Sequence, residues 1–368
     1  MEKKQKVIKA YKGFNDKLQC RGFQYEIGKE YKTNGKISCC ENGFHACQSP
    51  LEVLDYYFLL DNAKIARFCE VEQAGTIDGI KGNCTKTASS KIRINRELTF
   101  SELIKLGIEW LKENTKTDEI ESSDLFNSVK EPKKIGSSGD DAQIASSGDD
   151  AKIASSGYGS KIASSGNHAQ IGSGGNYAQI GTGGEYAKIG SSGDDVQIGS
   201  GGDCVKIGSS GSRAKIGCSG DYAKIGSSGN HAQIGSSGDH AQIGSGGDSA
   251  KISSSGYYAQ IGCSGDYAQI GCSGNHAQIG SSGRSAQIGS SSLAAKIDST
   301  GDNSIICCTG HNSIVKAKKG SWITLSEWVN DEDLLVPKCV KTEYVDGERI
   351  KENTWYKLVN GEFTEVEA

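Results

Sequence analysis

The chain has 368 residues with 41 basic and 45 acidic side chains, a formal net charge of −4 that argues against non-specific adhesion to nucleic acid or membrane surfaces. No run of ~18 apolar residues is present, so no transmembrane helix is expected, and the start MEKKQKVIKAYKGF lacks the apolar core of a signal peptide. The 13 cysteines are odd in number and not at disulfide-framework spacing, which points to a reduced, cytoplasmic setting with the thiols as small apolar residues.

Residues 1–115 read as an α+β domain that caps the repetitive segment beginning at Ile135. Lys6–Tyr11 alternates like a first strand, and Phe23–Tyr31 like a second with a glycine break. Pro50–Leu60 has helical spacing of apolar residues after Ser49, a candidate N-cap. Ala66–Val71 and Lys91–Leu98 read as strands. Thr99-Phe-Ser-Glu102 is a capping box opening a helix over Phe100–Asn114, with Leu103, Ile104, Ile108, Trp110 and Leu111 mostly on one face. Residues 116–134 are polar and read as a connector.

Two signatures in this domain are Cys20-Arg-Gly-Phe-Gln-Tyr-Glu26 and Glu41-Asn-Gly-Phe-His-Ala-Cys47. They resemble those of an uncharacterised domain of bacterial and phage proteins that precedes glycine-rich repeats and a similar tail. The resemblance covers residues 5 to about 110 and again about 317–365. It implies a phage or prophage setting and carries no activity. The order Tyr11-Lys-Gly-Phe14, Gly43-Phe-His45, Tyr56-Tyr57, then Glu70 and Glu72 loosely resembles ADP-ribosyltransferase-like folds. That family's first-strand His or Arg motif is absent here, as is a clear catalytic Glu motif. A nucleotide-using enzyme in this domain, with the repeat as targeting arm, is therefore the rival to a non-enzymatic reading, and no catalytic residue is assigned. Cys20, Cys39, Cys40, His45 and Cys47 supply nitrogen and sulfur donors, but the spacing C-C-x4-H-x-C holds no C-x2-C pair. No metal or cofactor is expected, and His45 is read as structural.

From Ile135 onward one nine-residue unit, I-G-S-S-G-D-Y-A-Q with variations, recurs twenty times, with isoleucine at every ninth position to Ile306 and Val315 keeping the period. A fixed period of this kind marks a repeat architecture. G-S-S-G-D/N is turn chemistry, with Gly supplying positive φ and Asp or Asn capping the bend, and x-A-x-I is a short strand whose Ala and Ile face inward. Nine residues at ~3.3 Å each would close a perimeter of only about 30 Å, with no room for an interior. Two units per coil give two facing strands, so residues 135–324 are expected to form a β-solenoid of about ten coils, some 48 Å long. The fold class is mainly β. Residues 325–368 form a small β cap, a three-stranded meander of Cys339–Val345, Arg349–Val359 and Phe363–Val366. Calcium binding in the manner of the G-G-x-G-x-D-x-U-x nonapeptide is disfavoured because Asn, Tyr, Ser or Arg often stands at the Asp position. Regular Thr-x-Thr rows for ice binding are missing.

An eighteen-residue coil stacks residues eighteen apart. The position before Ala splits into a column of His168, Tyr186, Cys204, Tyr222, His240, Tyr258 and His276, nearly all rings, and a mixed column of Gly159, Tyr177, Asp195, Arg213, His231, Ser249, Tyr267 and Ser285. Lys188, Lys206 and Lys224 flank the first. Rings beside lysines suit a partner surface, although ring stacking that only stabilises the sheet accounts for the column as well. Asp203, Asp221 and Asp239 sit beside the same column and oppose the lysines, which favours a protein partner over nucleic acid. Toward the end the Gln/Lys slot becomes Ile305, Ile314 and Ile323, the last within the segment from Trp322 to Trp328. These apolar residues are expected to face outward and to meet the cap or to form a homodimer seam. The reading is a capped, rigid rod presenting a face to a protein partner, such as a phage-encoded inhibitor of a host defence or DNA-handling protein. A structural spacer is the third alternative.

Overall fold

A computed structural model describes residues 7–58, 60, 65–79, 85–114, 134–332 and 334–367. The expected connector falls outside these apart from Lys134. The N-terminal domain is a five-stranded sheet in the order Glu30–Lys32, Lys86–Leu98, Phe44–Cys47, Ile8–Phe14, Arg67–Gly79. The two long strands also pair with each other, from Phe68 opposite Leu98 to Gly79 opposite Thr87, so the sheet closes on itself around Phe14, Val71, Ile92 and Ile94. The strand expected over Phe23–Tyr31 is broken instead. Phe23–Gln24 pairs with Gln19–Cys20, and the chain returns to the sheet only at Glu30.

The helix α1 spans Phe100–Asn114, and its capping box closes as expected: the Thr99 amide donates to Glu102 Oε2 at 2.8 Å and the Glu102 amide to Thr99 Oγ1 at 3.2 Å. The other expected helix shrinks to a 3-10 turn over Leu51–Asp55. Ser49 does not cap it. The Ser49 amide donates to Thr85 Oγ1, and Pro50 takes the capping place with no side-chain bond.

Residues 134–325 form a two-sheet parallel β-solenoid of eleven coils, two units per coil. The first sheet stacks the strands beginning at Lys134, Lys152, Gln170 and every eighteenth residue to Ile314, and the second those beginning at Gln143, Lys161 and onward to Ile305 and Trp322. Register is set by identity: Ile153 lies opposite Ile171, and Ile171 opposite Ile189. The isoleucines of both sheets meet with Ala in one continuous core. Burying each stabilises the rod by roughly 1.5–3 kcal/mol.

Three sequence expectations are corrected in each coil. The strand is not x-A-x-I but the four residues from Gln/Lys through Ile and Gly to Ser. Gln/Lys and Gly face outward; Ile and Ser face inward, and the residue before Ala lies in the turn. Positive φ is carried by that turn residue, His168 at 58° and Tyr186 at 56°, and not by the turn glycine. The glycine is required for a different reason. A Cβ on Gly211 would stand 1.8 Å from the carbonyl oxygen of Gly193, one coil below. The Asp or Asn after it does not cap its own bend. Asp221 Oδ1 accepts the amide of Asp239 in the next coil at 2.8 Å, and Asp203 does the same for Asp221. A carboxylate or amide ladder thus ties the corners together where the strand ladder ends.

The C-terminal end is two hairpins rather than a three-stranded meander. Trp322–Asp331 pairs antiparallel with Leu334–Tyr344 at the end of the second sheet, and Trp355–Val359 with Glu362–Glu365 at the end of the first. Asn360-Gly361 makes the expected tight turn, both at positive φ, whereas Asp346-Gly347 links the two hairpins, with Asp346 Oδ1 accepting the amides of Glu348 and Ile350. The parallel stack therefore ends on antiparallel edges carrying Lys338, Lys341, Glu362 and Glu365, which discourage further pairing.

The N-terminal domain does not cap the rod end on. Its helix α1 lies against the first sheet's strands from Lys152 to Ser209, along the side.

Candidate functional site

The rod offers two faces, two corners and an end, and the sequence-derived residues distribute over all of them. His168, Tyr186, Tyr222, His240, Tyr258 and His276 line one corner, at the entry to the first sheet's strands. His168 and Tyr186 stack at 5.1 Å with a 9° interplanar angle. Tyr222, His240, Tyr258 and His276 form a second run, with centroids 4.8, 5.0 and 4.9 Å apart. Cys204 separates the two, and its thiol raises the Tyr186 phenol above the ordinary tyrosine value. Parallel rings at coil spacing offset the cost of holding non-glycine residues in the left-handed region. The rings remain about half exposed, Tyr222 at 55%.

Lys188, Lys206 and Lys224, expected to flank the ring column, are not on that surface. They lie on the first sheet beneath the N-terminal domain. Asp55, set by the 3-10 turn, pairs with Lys188 Nζ at 2.7 Å and Lys206 Nζ at 2.5 Å. Burial and the charge of Lys206 push the Lys224 ammonium down. On the same face the Lys152 ammonium sits 5.2 Å from the Trp110 ring centroid.

Between these lysines and the turns runs the outward glycine row, and α1 together with Leu51 and Phe58 covers it from Gly172 to Gly226. Ile108 and Leu111 stand over Gly172, Leu51 and Ile104 over Gly190, Ile104 and Phe100 over Gly208, and Phe58 over Gly226. A Cβ on Gly208 would lie 2.6 Å from Ile104 Cδ1, so glycine is what lets the helix approach. From Phe100 to Leu111 the helix advances about 16.5 Å, close to the ~14.4 Å of the three coils between Gly226 and Gly172. The helix therefore runs nearly along the rod.

The second sheet carries the same pattern with nothing on it among the described residues. A Cβ on Gly181, Gly199, Gly217, Gly271 or Gly289 would meet no atom within 4 Å. These glycines sit in strand conformation, with no positive φ. Beside them Gln143, Lys161, Gln179, Gln197, Lys215, Gln233, Lys251, Gln269 and Gln287 are all exposed. The result is a shallow furrow of about 1500 Å³ running from Gln143 to Ile305. Sequence reading missed it because the outward glycine was taken for turn chemistry. Period-two alternation carried past isoleucine, with Gln out, Ile in, Gly out and Ser in, contains the signal.

The furrow ends in an apolar patch. Ile305 is 56% exposed and Trp322 49%, with the Trp322 and Tyr344 rings 5.1 Å apart. Ile314 is half-buried on the other sheet. Ile323 is not in the outward slot. The last turn is one residue shorter, with Gly320 at φ 92°, so Trp322 aligns with Ile305 and Ile323 with Ile306, leaving Ile323 buried in the core. Trp328 belongs to the end hairpin: its indole N–H lies 3.0 Å from the Thr309 carbonyl and 2.7 Å from Ser326 Oγ.

In the N-terminal domain, His45 Nε2 accepts the Cys40 amide at 2.9 Å, which assigns the imidazole to loop structure. Burial, with the nearby positive charges of Lys86, Lys12 and Arg21, lowers its pKa to about 4. Lys12 is buried and donates to the His45 carbonyl at 2.8 Å. Burial lowers its pKa, while Cys20 opposes the shift. Burial and a hydrogen bond with the same Cys20 push Tyr57 up to about 12. Glu70, weighed as a catalytic candidate, is held by Lys9 and Arg96. No group of three or more His, Cys, Asp or Glu side chains at metal-holding distance occurs among the described residues, and no described helix is long and apolar enough to cross a membrane.

A family model described as a domain of unknown function (DUF7666) matches residues 8–106, the closed sheet and the first part of α1. The solenoid lies outside that match. No curated protein and no solved structure matches the chain.

Proposed function

We propose that the protein is a non-enzymatic interaction protein, a rigid rod that holds a protein partner against its open second sheet. One observation carries the reading. The two sheets have similar outward rows of glycine and Gln/Lys, yet among the described residues α1 with Leu51 and Phe58 covers the first sheet's row from Gly172 to Gly226, while the second sheet's glycines from Gly181 to Gly289 have nothing over them. A flat face of this size, ending in exposed Ile305 and Trp322, is a surface of the kind that marks interaction sites. The stacked corner beside the first sheet is a second contact surface. In the phage or prophage setting implied by the sequence resemblance, the partner is a host protein, and occupying it makes the rod an inhibitor of a defence or DNA-handling function. The C-terminal patch is also where two copies would meet.

The test is recovery of a stoichiometric partner with the tagged full chain from the cells that express it. Retention after joint Tyr186→Ala, Tyr222→Ala and Tyr258→Ala substitution assigns the ladder to structure, and loss assigns it to the contact. Recovery of no partner, together with turnover of a nucleotide by the full chain, overturns the proposal in favour of the enzyme reading.

A further inference from the structure

The first sheet shows what its surface is built to receive, and the second sheet repeats that surface. On the first, a helix runs along the glycine row with roughly one apolar side chain per coil, and the flanking lysines meet a carboxylate and an indole supplied by the docked domain. On the second, the outward row of small residues from Ala163 through Gly181, Gly199, Gly217, Gly235, Ser253 and Gly271 to Gly289 is open, and Lys161, Lys215 and Lys251 flank it beside Ala163, Gly217 and Ser253 without an ion pair among the described residues. Asp195, which lies within reach of the charge of Lys215, is engaged by Arg213 at 2.6 Å. An extended peptide has no main-chain partner here, because every internal strand already bonds to the coils on both sides. A helix satisfies its own backbone and needs only a furrow for its side chains.

We infer that the second sheet is the seat of an acidic amphipathic α-helix contributed by the partner, a deepening that rests on the interaction reading above. The coil spacing of ~4.8 Å corresponds to about three helical residues, so apolar side chains recurring every three to four positions enter successive glycine gaps. Lys161 and Lys215 are three coils apart, about 14 Å, and Lys215 and Lys251 two coils, about 10 Å. Carboxylates about ten and then six to seven residues apart on one flank of the helix match them. The end of the helix at Ile305, Trp322 and Tyr344 is its most apolar. The acidic sign follows from the lysines and from the absence of a free carboxylate on the strand face, and it mirrors the pairing of Asp55 with Lys188 and Lys206.

The test places a benzophenone side chain at Gln197 or Gln233 in the full chain. Photo-crosslinking in an extract of the expressing cells is followed by mass-spectrometric mapping of the joined segment. The expected product is an acidic amphipathic helical segment of another protein. Its yield should fall at least tenfold in Gly199→Leu/Gly217→Leu, whose side chains enter open space, and in Lys161→Glu/Lys215→Glu/Lys251→Glu. Unchanged far-UV circular dichroism and melting of both variants confirm the rod. A mapped segment that is extended, basic or part of a second copy of this chain overturns the helix while leaving the interaction reading in place, as does a yield indifferent to lysine reversal. No crosslink from either position, with a partner still recovered through another surface, overturns the seat itself.

Discussion

Gly211 and Gly199 carry the same missing side chain for unrelated reasons. Gly211 is pressed by the carbonyl of Gly193, whereas Gly199 faces open space. Gly211→Ala is therefore expected to cost about 3 kcal/mol by forcing the coils apart, and Gly199→Ala to stay within about 0.5 kcal/mol of wild type, as read from urea unfolding. His45 gives a pH signature. Its pKa is lowered in the folded state to about 4 from the ordinary 6.5, so the unfolded chain takes up the proton first. Its contribution is fully present above about pH 6.5 and is lost as pH falls toward 4. Protonation also ends its acceptance of the Cys40 amide. His45→Gln is expected to lose less stability between pH 7 and 4.5 than wild type, and an equal loss in the two would remove His45 from the acid response.

At the scale of elements, the attachment of α1 depends on the absence of side chains on another element. Gly208→Leu collides with Ile104 and Phe100. It is expected to release α1, raising amide exchange across its first three turns at least tenfold, whereas Gly217→Leu on the bare sheet leaves α1 protected. Isoleucine at every ninth position made the solenoid, its two units per coil and its stacked columns legible, because periodicity translates directly into register. Thr99 and Glu102 did the same for the start of α1. What stayed hidden were relations between distant segments. Nothing local in Leu51 or Phe58 says that they meet Gly190 and Gly226, and nothing in Lys188 says that Asp55 will cover it. The slip that buries Ile323 hangs on a single missing residue in the last turn. The helix expected over Pro50–Leu60 shortened to one turn, and there Leu51 and Phe58 serve the solenoid face rather than a helical stripe.

At the scale of the molecule, the described residues form a rod dressed unequally: one side occupied by its own domain, the other bare among those residues, with two hairpins finishing the stack. Because neighbouring units belong to opposite sheets, the count of units has a parity. Deleting residues 228–245 removes one whole coil and shortens the rod by ~4.8 Å without rotating anything. Deleting residues 228–236 removes half a coil and swings everything downstream through half a revolution. Tyr222 then stacks on Ser249 instead of His240, and Trp322 comes round to the side that carries α1. Both deletions are expected to unfold cooperatively, since each coil contacts only its neighbours. Spin labels on α1 and beside Trp322 distinguish the two outcomes by distance. Insertion and loss of nine-residue units therefore act on this rod as a rotary switch as much as a ruler: an even change sets its length, and an odd change also decides which way its far end faces.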